Sequence, residues 1–375
     1  MPPPLPPPLL PCQEILFHRY QIIRQIGEGT YSQIFAALDL HTRTPVAVKV
    51  ELPLPQSGLN GMLAGEAECL QSIQKETSFC RFHTYGKVNV MSHEMKNMNM
   101  EMKTMEMDKD NMHLEILIME KCGDNMSKLR KKNGVGMSLQ KVKEIALQML
   151  SQIEKLHAFG YVHRDIKASN FVLDAKNGTN YILIDFGLAR SFLDEEGHLR
   201  NPRPTADFRG TSMYASLTTH YGKELGRKDD LWSWLYLILD FLRVELPWRQ
   251  DAQLKNKKAV LQLKQHYTEK DAQALVEGLP GEDQLLEMMS YLKTLTYADV
   301  PDYKHLKTLI GTMSNVTKSC VSKRGKEQMA LEKACSKWNE MELYQVAIGW
   351  KRDMQKVIEK RVNDCMMKEL FELFC

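Results

Sequence analysis

The hydrophobic rhythm of the chain changes character once. From Tyr20 to Val50 it has the pattern of strands. Ile22, Ile23 and Ile26 run into a glycine-rich turn, Ile34, Phe35 and Ala36 leave it, and the stretch PVAVKV ending at Val50 adds another apolar strand. Residues 60–76 carry helical spacing, and the run LEILIM at 114–119 suits a buried strand. Beyond Ser127 the pattern is mostly helical, with helices expected at about 138–159, 226–244, 252–266, 269–278 and 282–294. The most apolar stretch, Leu231 to Trp248, is interrupted by Asp240, Arg243 and Glu245. It is too charged to span a bilayer and predicts a buried helix.

Three segments stand outside this pattern. MPPPLPPPLLPC at the start holds a proline run that favours polyproline II and cannot pack as helix or sheet. We expect residues 1–17 to be a disordered tail, in which Pro3-x-x-Pro6 is the element suited to an SH3- or WW-like groove. Residues 91–112 interleave methionines with charged and amide side chains in no clean period, and 88–113 is expected to be an extended insertion between two strands. A Met-rich adaptable contact surface is the alternative there. In 314–375, Val346, Trp350, Met354, Val357, Ile358, Val362 and Cys365 recur at helical spacing, so a helical extension is expected. It packs on the main domain or docks a partner.

Composition narrows the class. The 375 residues, 43% of them apolar and 26% charged, suit a soluble chain with a large core. A formal charge of +3 argues for neither nucleic-acid nor membrane binding. The cysteines, at 12, 69, 80, 122, 320, 335, 365 and 375, show neither C-x-x-C nor zinc-finger spacing, so free thiols in a reducing compartment are expected. The N-terminus has no basic segment followed by an apolar core, hence no signal peptide. The expectation is an intracellular protein, cytoplasmic by default, with the nucleus also open to it and no membrane span.

The chemistry is carried by an ordered set of motifs. Gly27-Glu28-Gly29-Thr30-Tyr31-Ser32-Gln33-Ile34 lies between two strands, where glycines let backbone amides approach phosphates. By itself such a hairpin is usually just a turn. Val46-Ala47-Val48-Lys49 follows and ends a strand. A lysine there can pair with α- and β-phosphate oxygens if a carboxylate holds it, and the helix at 60–76 offers Glu66, or Glu68. The strongest signal is His163-Arg164-Asp165-Ile166-Lys167-Ala168-Ser169-Asn170, followed by Asp185-Phe186-Gly187. Phosphoryl transfer is mostly positioning and charge neutralisation. Asp165 can accept the proton of a substrate hydroxyl. Asn170 and Asp185 can hold Mg²⁺ with hard oxygen ligands, and Lys167 can reach the transferring phosphate. Any one tripeptide is a chance match, but the ordered set at these spacings is not.

With these residues the chain resembles the eukaryotic protein kinases from about Arg19 to Met313. Within them it is similar to the casein kinase 1 superfamily, closest to its tau-tubulin kinase branch. HRDIKASNF, DFGLAR, Arg209-Gly210-Thr211-Ser212-Met213-Tyr214-Ala215-Ser216, the stretch Gly226 to Ser233, Leu246-Pro247-Trp248-Arg249 and Pro301-Asp302-Tyr303 carry that likeness. The resemblance implies a bilobal α+β kinase domain at 18–313. Its β-rich N-lobe would span 18–119 and its helical C-lobe 124–313, with ATP and Mg²⁺ in the cleft. It also implies roles. Thr211 joins Asp165, Lys167, Lys49 and Glu66 in the catalytic set, and Asp230 braces the HRD backbone. Met119 is the gatekeeper, and Glu120 to Cys122 form the hinge that meets adenine. Ile34 and Ala47 lie above the base and Val172 and Ile184 below it, with Ile26, Gly27, Glu28, Gly29, Thr30, Tyr31 and Ser32 covering the nucleotide.

The sequence also departs from the family. Casein kinase 1 relatives usually carry Arg at the position of Met213, where it helps bind an anion on phosphoprimed substrates, and Met213 supplies no charge. Ser32 replaces the third loop glycine, and Ala168 the usual proline. The expected partners are protein substrates with Ser or Thr acceptors. The proline tail, the Met-rich loop and the C-terminal helices are the candidates for docking. Competing readings are a kinase-like scaffold, which would normally have lost one of Lys49, Glu66, Asp165, Lys167, Asn170 or Asp185, and a small-molecule phosphotransferase, against which Lys167 and Gly210-Thr211 argue.

Overall fold

In the computed structural model the strand-like residues pair into one antiparallel sheet. The structure describes residues 8–29, 32–51, 61–89, 113–128, 137–176, 178–243 and 245–315. The sheet contains β1 (Ile15–Leu16), β2 (Tyr20–Glu28), β3 (Ser32–Asp39), β4 (Pro45–Glu51), β5 (Phe82–Asn89) and β6 (His113–Glu120), in the order β1-β2-β3-β4-β6-β5. Helix α1 (Met62–Ser72) lies between β4 and β5 in the chain.

Alternation along the strands assigns the two faces of the sheet. Val46, Val48 and Val50 of β4 join Ile22, Phe35, Ala37, Leu114, Ile116 and Ile118 in one buried cluster. Their neighbours Ala47 and Lys49 point the other way, and Lys49 meets Glu66 of α1. Register therefore decides the site: a slip of one residue in β4 would turn Lys49 away from α1.

The N-terminal segment corrects one expectation. Residues 8–17 do not form a loose tail: Leu9 and Leu10 are buried, with Leu16, against the valine face of the sheet. The amide of Leu9 donates to the buried side chain of Gln33 at 2.8 Å, and β1 pairs antiparallel with β2. The reason is apolar area: a sheet with one face on α1 leaves the other face to be covered, and the leucines after the prolines cover it. Residues 1–7, the insertion at 91–112 and everything from 316 lie outside the described residues, as do the expectations made for them.

The second half is helical. It contains α2 (Leu139–Ala158), α3 (Leu217–His220), α4 (Arg227–Leu242), α5 (Arg249–Gln253), α6 (Lys257–Gln265), α7 (Ala272–Val276), α8 (Glu282–Thr294) and α9 (Tyr303–Thr312). Four short strands lie among them, β7 (Tyr161–Val162) with β10 (Arg190–Ser191), and β8 (Phe171–Leu173) with β9 (Tyr181–Leu183). Helix α4 is buried from Asp229 to Phe241 and packs on α2, where the Trp234 indole N–H donates to the Ala146 carbonyl at 3.0 Å. It ends at Leu242, short of Trp248, which is nonetheless fully buried. The helix expected over 252–266 is two helices. Lys255 takes a left-handed φ of 58°, and the Asn256 side chain accepts from the Ala259 amide to start α6. The segment expected helical at 269–278 is a π-turn at His266–Lys270 followed by the short α7.

Candidate active site

The site forms where the sheet meets the helical half. Lys49 Nζ donates to Glu66 Oε2 at 2.7 Å and to Asp185 Oδ1 at 2.6 Å. Of the two carboxylates the sequence offered for Lys49, the structure pairs Glu66. Burial alone would lower the pKa of Lys49, but the charges of Asp185 and Glu66 outweigh it and raise it. The same lysine holds the Asp185 carboxyl down at about 2. Burial instead pushes Glu66 up, against the pull of Lys49. A Cβ on Gly187 would sit 3.2 Å from Glu66 Oε2, a tight contact beside the ion cluster.

Asp165 is the centre of a second cluster. Its Oδ1 accepts from the Thr211 amide at 2.9 Å and the Thr211 hydroxyl at 2.8 Å. Lys167 Nζ donates to its Oδ2 at 2.6 Å. The Asn170 side-chain amide donates to the Asp165 carbonyl at 3.0 Å. Gly210 makes the approach of Thr211 possible. Its φ is +90°, and a Cβ there would lie 2.7 Å from the Arg164 carbonyl.

Two non-glycine residues in the left-handed region, Arg164 and Asp185, each with φ 67°, hold the two loops in these positions. Asp230 braces the first: its carboxylate accepts from the amides of His163 at 2.7 Å and Arg164 at 2.8 Å, and from His157 Nε2 at 2.9 Å. Burial would raise the pKa of Asp230, but these bonds, with His157, keep it below the ordinary value. His163 ties the loops together. Its Nδ1 accepts from the Asp165 amide at 3.3 Å, so the proton is on Nε2, which donates to the Ile184 carbonyl at 3.1 Å. The Phe186 ring is buried edge-on against Phe79 and His163, with centroids 6.0 and 5.6 Å apart.

The described residues expected to cover the nucleotide lie on or just beside β2, β3, β4, β6, β8 and β9. Gly27 and Glu28 end β2 opposite Ile34 and Gln33, and the Gly29 amide donates to the Ser32 carbonyl at 2.8 Å. Thr30 and Tyr31 lie outside the described residues. Ala47 pairs with Met119 across β4 and β6. Val172 is buried, Ile184 and Cys122 pack at the edge of the main core, and Ile26 is exposed. The Glu120 amide donates to the Arg81 carbonyl at 2.8 Å.

Sequence reasoning missed several residues because their partners are remote. Glu224, with its side chain 4% exposed, takes the Arg203 guanidinium through both oxygens and lies 3.8 Å from Arg190. Arg164 donates to the Leu188 carbonyl at 2.6 Å. Burial, opposed by Glu224 and aided by Arg190, Arg203 and Arg209, lowers its pKa to about 10. Lys264 is fully buried. It donates to the Ser212 and Ala215 carbonyls at 2.9 and 2.5 Å, between the Tyr236 and Trp248 rings. Met213 is buried, and its carbonyl accepts from the Trp248 indole at 2.8 Å.

The comparisons agree with this geometry. A family model described as the protein kinase domain matches residues 20–319. A probable serine/threonine-protein kinase of Dictyostelium discoideum is 35% identical over 296 residues, covering 78% of this chain and 53% of that protein. The chain thus spans about half the length of this curated relative. The sheet with its lysine and the helical half with the loops that carry Asp165 and Asp185 are the two lobes of a kinase domain, and the chain belongs to the protein kinase family.

Proposed function

We propose that the chain is an active serine/threonine protein kinase that transfers the γ-phosphate of ATP to Ser or Thr hydroxyls of protein substrates. One observation carries this: Lys49, Glu66 and Asp185 are joined within 2.7 Å while Asp165, Lys167 and Thr211 are joined within 2.9 Å. A kinase domain needs both clusters assembled to turn over.

The roles follow from the bonds. Thr211 uses its amide and hydroxyl to fix the Asp165 carboxylate, so that an acceptor hydroxyl can hand its proton to it in line with the phosphate. Lys167, on the other oxygen of Asp165, offsets charge developing on the phosphoryl group. Lys49 positions the α- and β-phosphates and is itself held by Glu66. The side-chain oxygen of Asn170, whose nitrogen is bonded to the Asp165 carbonyl, and the carboxylate of Asp185 form an all-oxygen donor set that fits Mg²⁺, which when bound would neutralise the phosphate oxygens. Ile34, Ala47, Val172 and Ile184 sandwich adenine, and Met119 to Cys122 line its edge.

The finer placement, near the casein kinase 1 superfamily and its tau-tubulin kinase branch, rests on HRDIKASNF and on Arg209 to Ser216. Buried Met213 presents no cation, so recognition of phosphoprimed substrates is not expected. Among the described residues no helix is long and apolar enough to cross a membrane. We place the activity in the cytoplasm, with the nucleus open to it.

Label transfer from MgATP to a mixed protein substrate tests the proposal, with Asp165→Asn beside the wild type. The wild type should label Ser and Thr, and the variant should bind MgATP while losing at least about a hundredfold in turnover. Turnover within a few-fold of wild type would remove Asp165 from its role. No transfer by either protein would turn the conclusion to a scaffold.

A further inference from the structure

Two cysteines that no sequence motif connects meet behind the hinge. Cys80, in the turn before β5, is buried, and Cys122, just past β6, is half-buried. Their sulfurs are 3.8 Å apart. Both face the Glu120 carbonyl, at 3.3 Å from Cys80 and 3.7 Å from Cys122. The Glu120 carboxylate completes the group: one ligand atom from each of Cys80, Glu120 and Cys122 falls within 4.8 Å of the others. We propose that Cys80, Cys122 and Glu120 form a binding site for a thiophilic divalent cation of the Zn²⁺ or Cd²⁺ type.

Three observations carry this. Two thiolates bound tetrahedrally to Zn²⁺ at about 2.3 Å lie about 3.8 Å apart, so the sulfurs already have the separation that ligation requires. Sulfur and carboxylate together form a donor set that selects a borderline-soft cation over Mg²⁺. The backbone holds the group in place. The Glu120 amide is bonded to the Arg81 carbonyl at 2.8 Å, and Glu120 Oε2 accepts from the Arg81 amide at 3.3 Å, so the two strands approach without depending on the metal. Binding converts two thiols to thiolates with release of two protons, while the carboxylate binds as it stands. Three protein ligands leave a fourth position for water. Solvent reaches the site past Cys122 and Glu120, neither of which is buried. None of this depends on whether the chain transfers phosphate.

Cd²⁺ titration of the full chain under a non-thiol reductant tests the site by its ultraviolet thiolate-to-cadmium charge-transfer band, with ¹¹³Cd resonance counting sulfur ligands. The wild type should bind one Cd²⁺ tightly with two sulfur ligands, and Zn²⁺ in large excess should compete for the site. Cys80→Ser and Cys122→Ser should each remove that tight phase, and Glu120→Gln should keep the band while weakening binding at least about tenfold. Melting curves without metal establish that each variant is folded, and Cd²⁺ should raise Tm in the wild type more than in Cys80→Ser. A tight phase that survives in the Cys80→Ser, Cys122→Ser double variant assigns the metal to other cysteines and overturns the proposal. A wild type with no tight phase overturns it as well.

Discussion

Charge at single side chains is handled in two opposite ways. Lys49 lies between two carboxylates that keep it charged. Lys264 has the carbonyls of Ser212 and Ala215 and two aromatic rings, and burial pushes its pKa well below the ordinary lysine value. Beside Lys264 the same physics acts on His220. Burial first, then the positive charges of Lys264 and Lys257, lower its pKa from 6.5 to about 3, its ring lies 5.1 Å from Phe208, and its buried Nε2 has no hydrogen-bond partner among the described residues. The folded chain therefore keeps His220 neutral. The unfolded chain takes up a proton below about pH 6.5, so stability falls as pH drops from there toward about 3. We expect His220→Phe to flatten the decline of Tm across that window, and a slope equal to that of the wild type would show that His220 is not its source. Lys49, Asp165, Asn170 and Asp185 were legible in the sequence because phosphate chemistry demands those residue types at short, ordered spacings. Lys264, Glu224 and the Cys80–Cys122 pair were not. Their partners are set by tertiary approach, and a lone lysine or glutamate in a sequence carries no sign that it will be buried.

Among the elements, β4 and β6 were legible from their apolar runs, and α2 and α4 from helical spacing. The exact ends were not, because caps and breaks rest on local backbone choices such as the left-handed Lys255 before α6. The N-terminal segment was misjudged for a clearer reason. Its prolines dominate the composition, yet the leucines that follow them bury themselves. Leu10 is 1% exposed and lies in the cluster with Phe35, Val46, Val48 and Val50. Burying a leucine contributes roughly 1.5–3 kcal/mol. Leu10→Ser is therefore expected to lower the stability of the chain by about 2 kcal/mol, since it forfeits that term and exposes the valine face. Urea denaturation followed by fluorescence measures this. An unchanged midpoint would mean that the segment contributes nothing to the sheet it covers.

For the molecule as a whole, the question is what holds the two loops in working order. One apolar cluster runs from Leu63, Ala67 and Leu70 of α1, through Phe79 and Phe186, to Ile145 and Met149 of α2 and Trp234 of α4. It spans both lobes, so the Lys49–Glu66 pair and the Asp165 cluster rest on a common core. The segment that runs from Asp185 to Ser216 has its own anchor, supplied by the chain itself. Arg190, Arg203 and Arg209 are close enough to help lower the pKa of Arg164, and buried Glu224, which pairs with Arg190 and Arg203, is the carboxylate that opposes them. A group of arginines around one anion is how a phosphate on this segment would be held. Glu224 provides the negative charge without modification, which is the physical basis for expecting constitutive activity. Phosphatase treatment should leave most of the rate. Glu224→Gln should lower it on the order of tenfold, equivalent to about 1.4 kcal/mol of lost transition-state positioning, with Tm measured to separate misfolding from mispositioning. The exposure of Arg190 and Arg203, 38% and 43%, keeps the expected effect below that of a fully buried pair. If phosphatase alone removed most of the rate, or if Glu224→Gln kept all of it, the segment would be held by something other than this carboxylate.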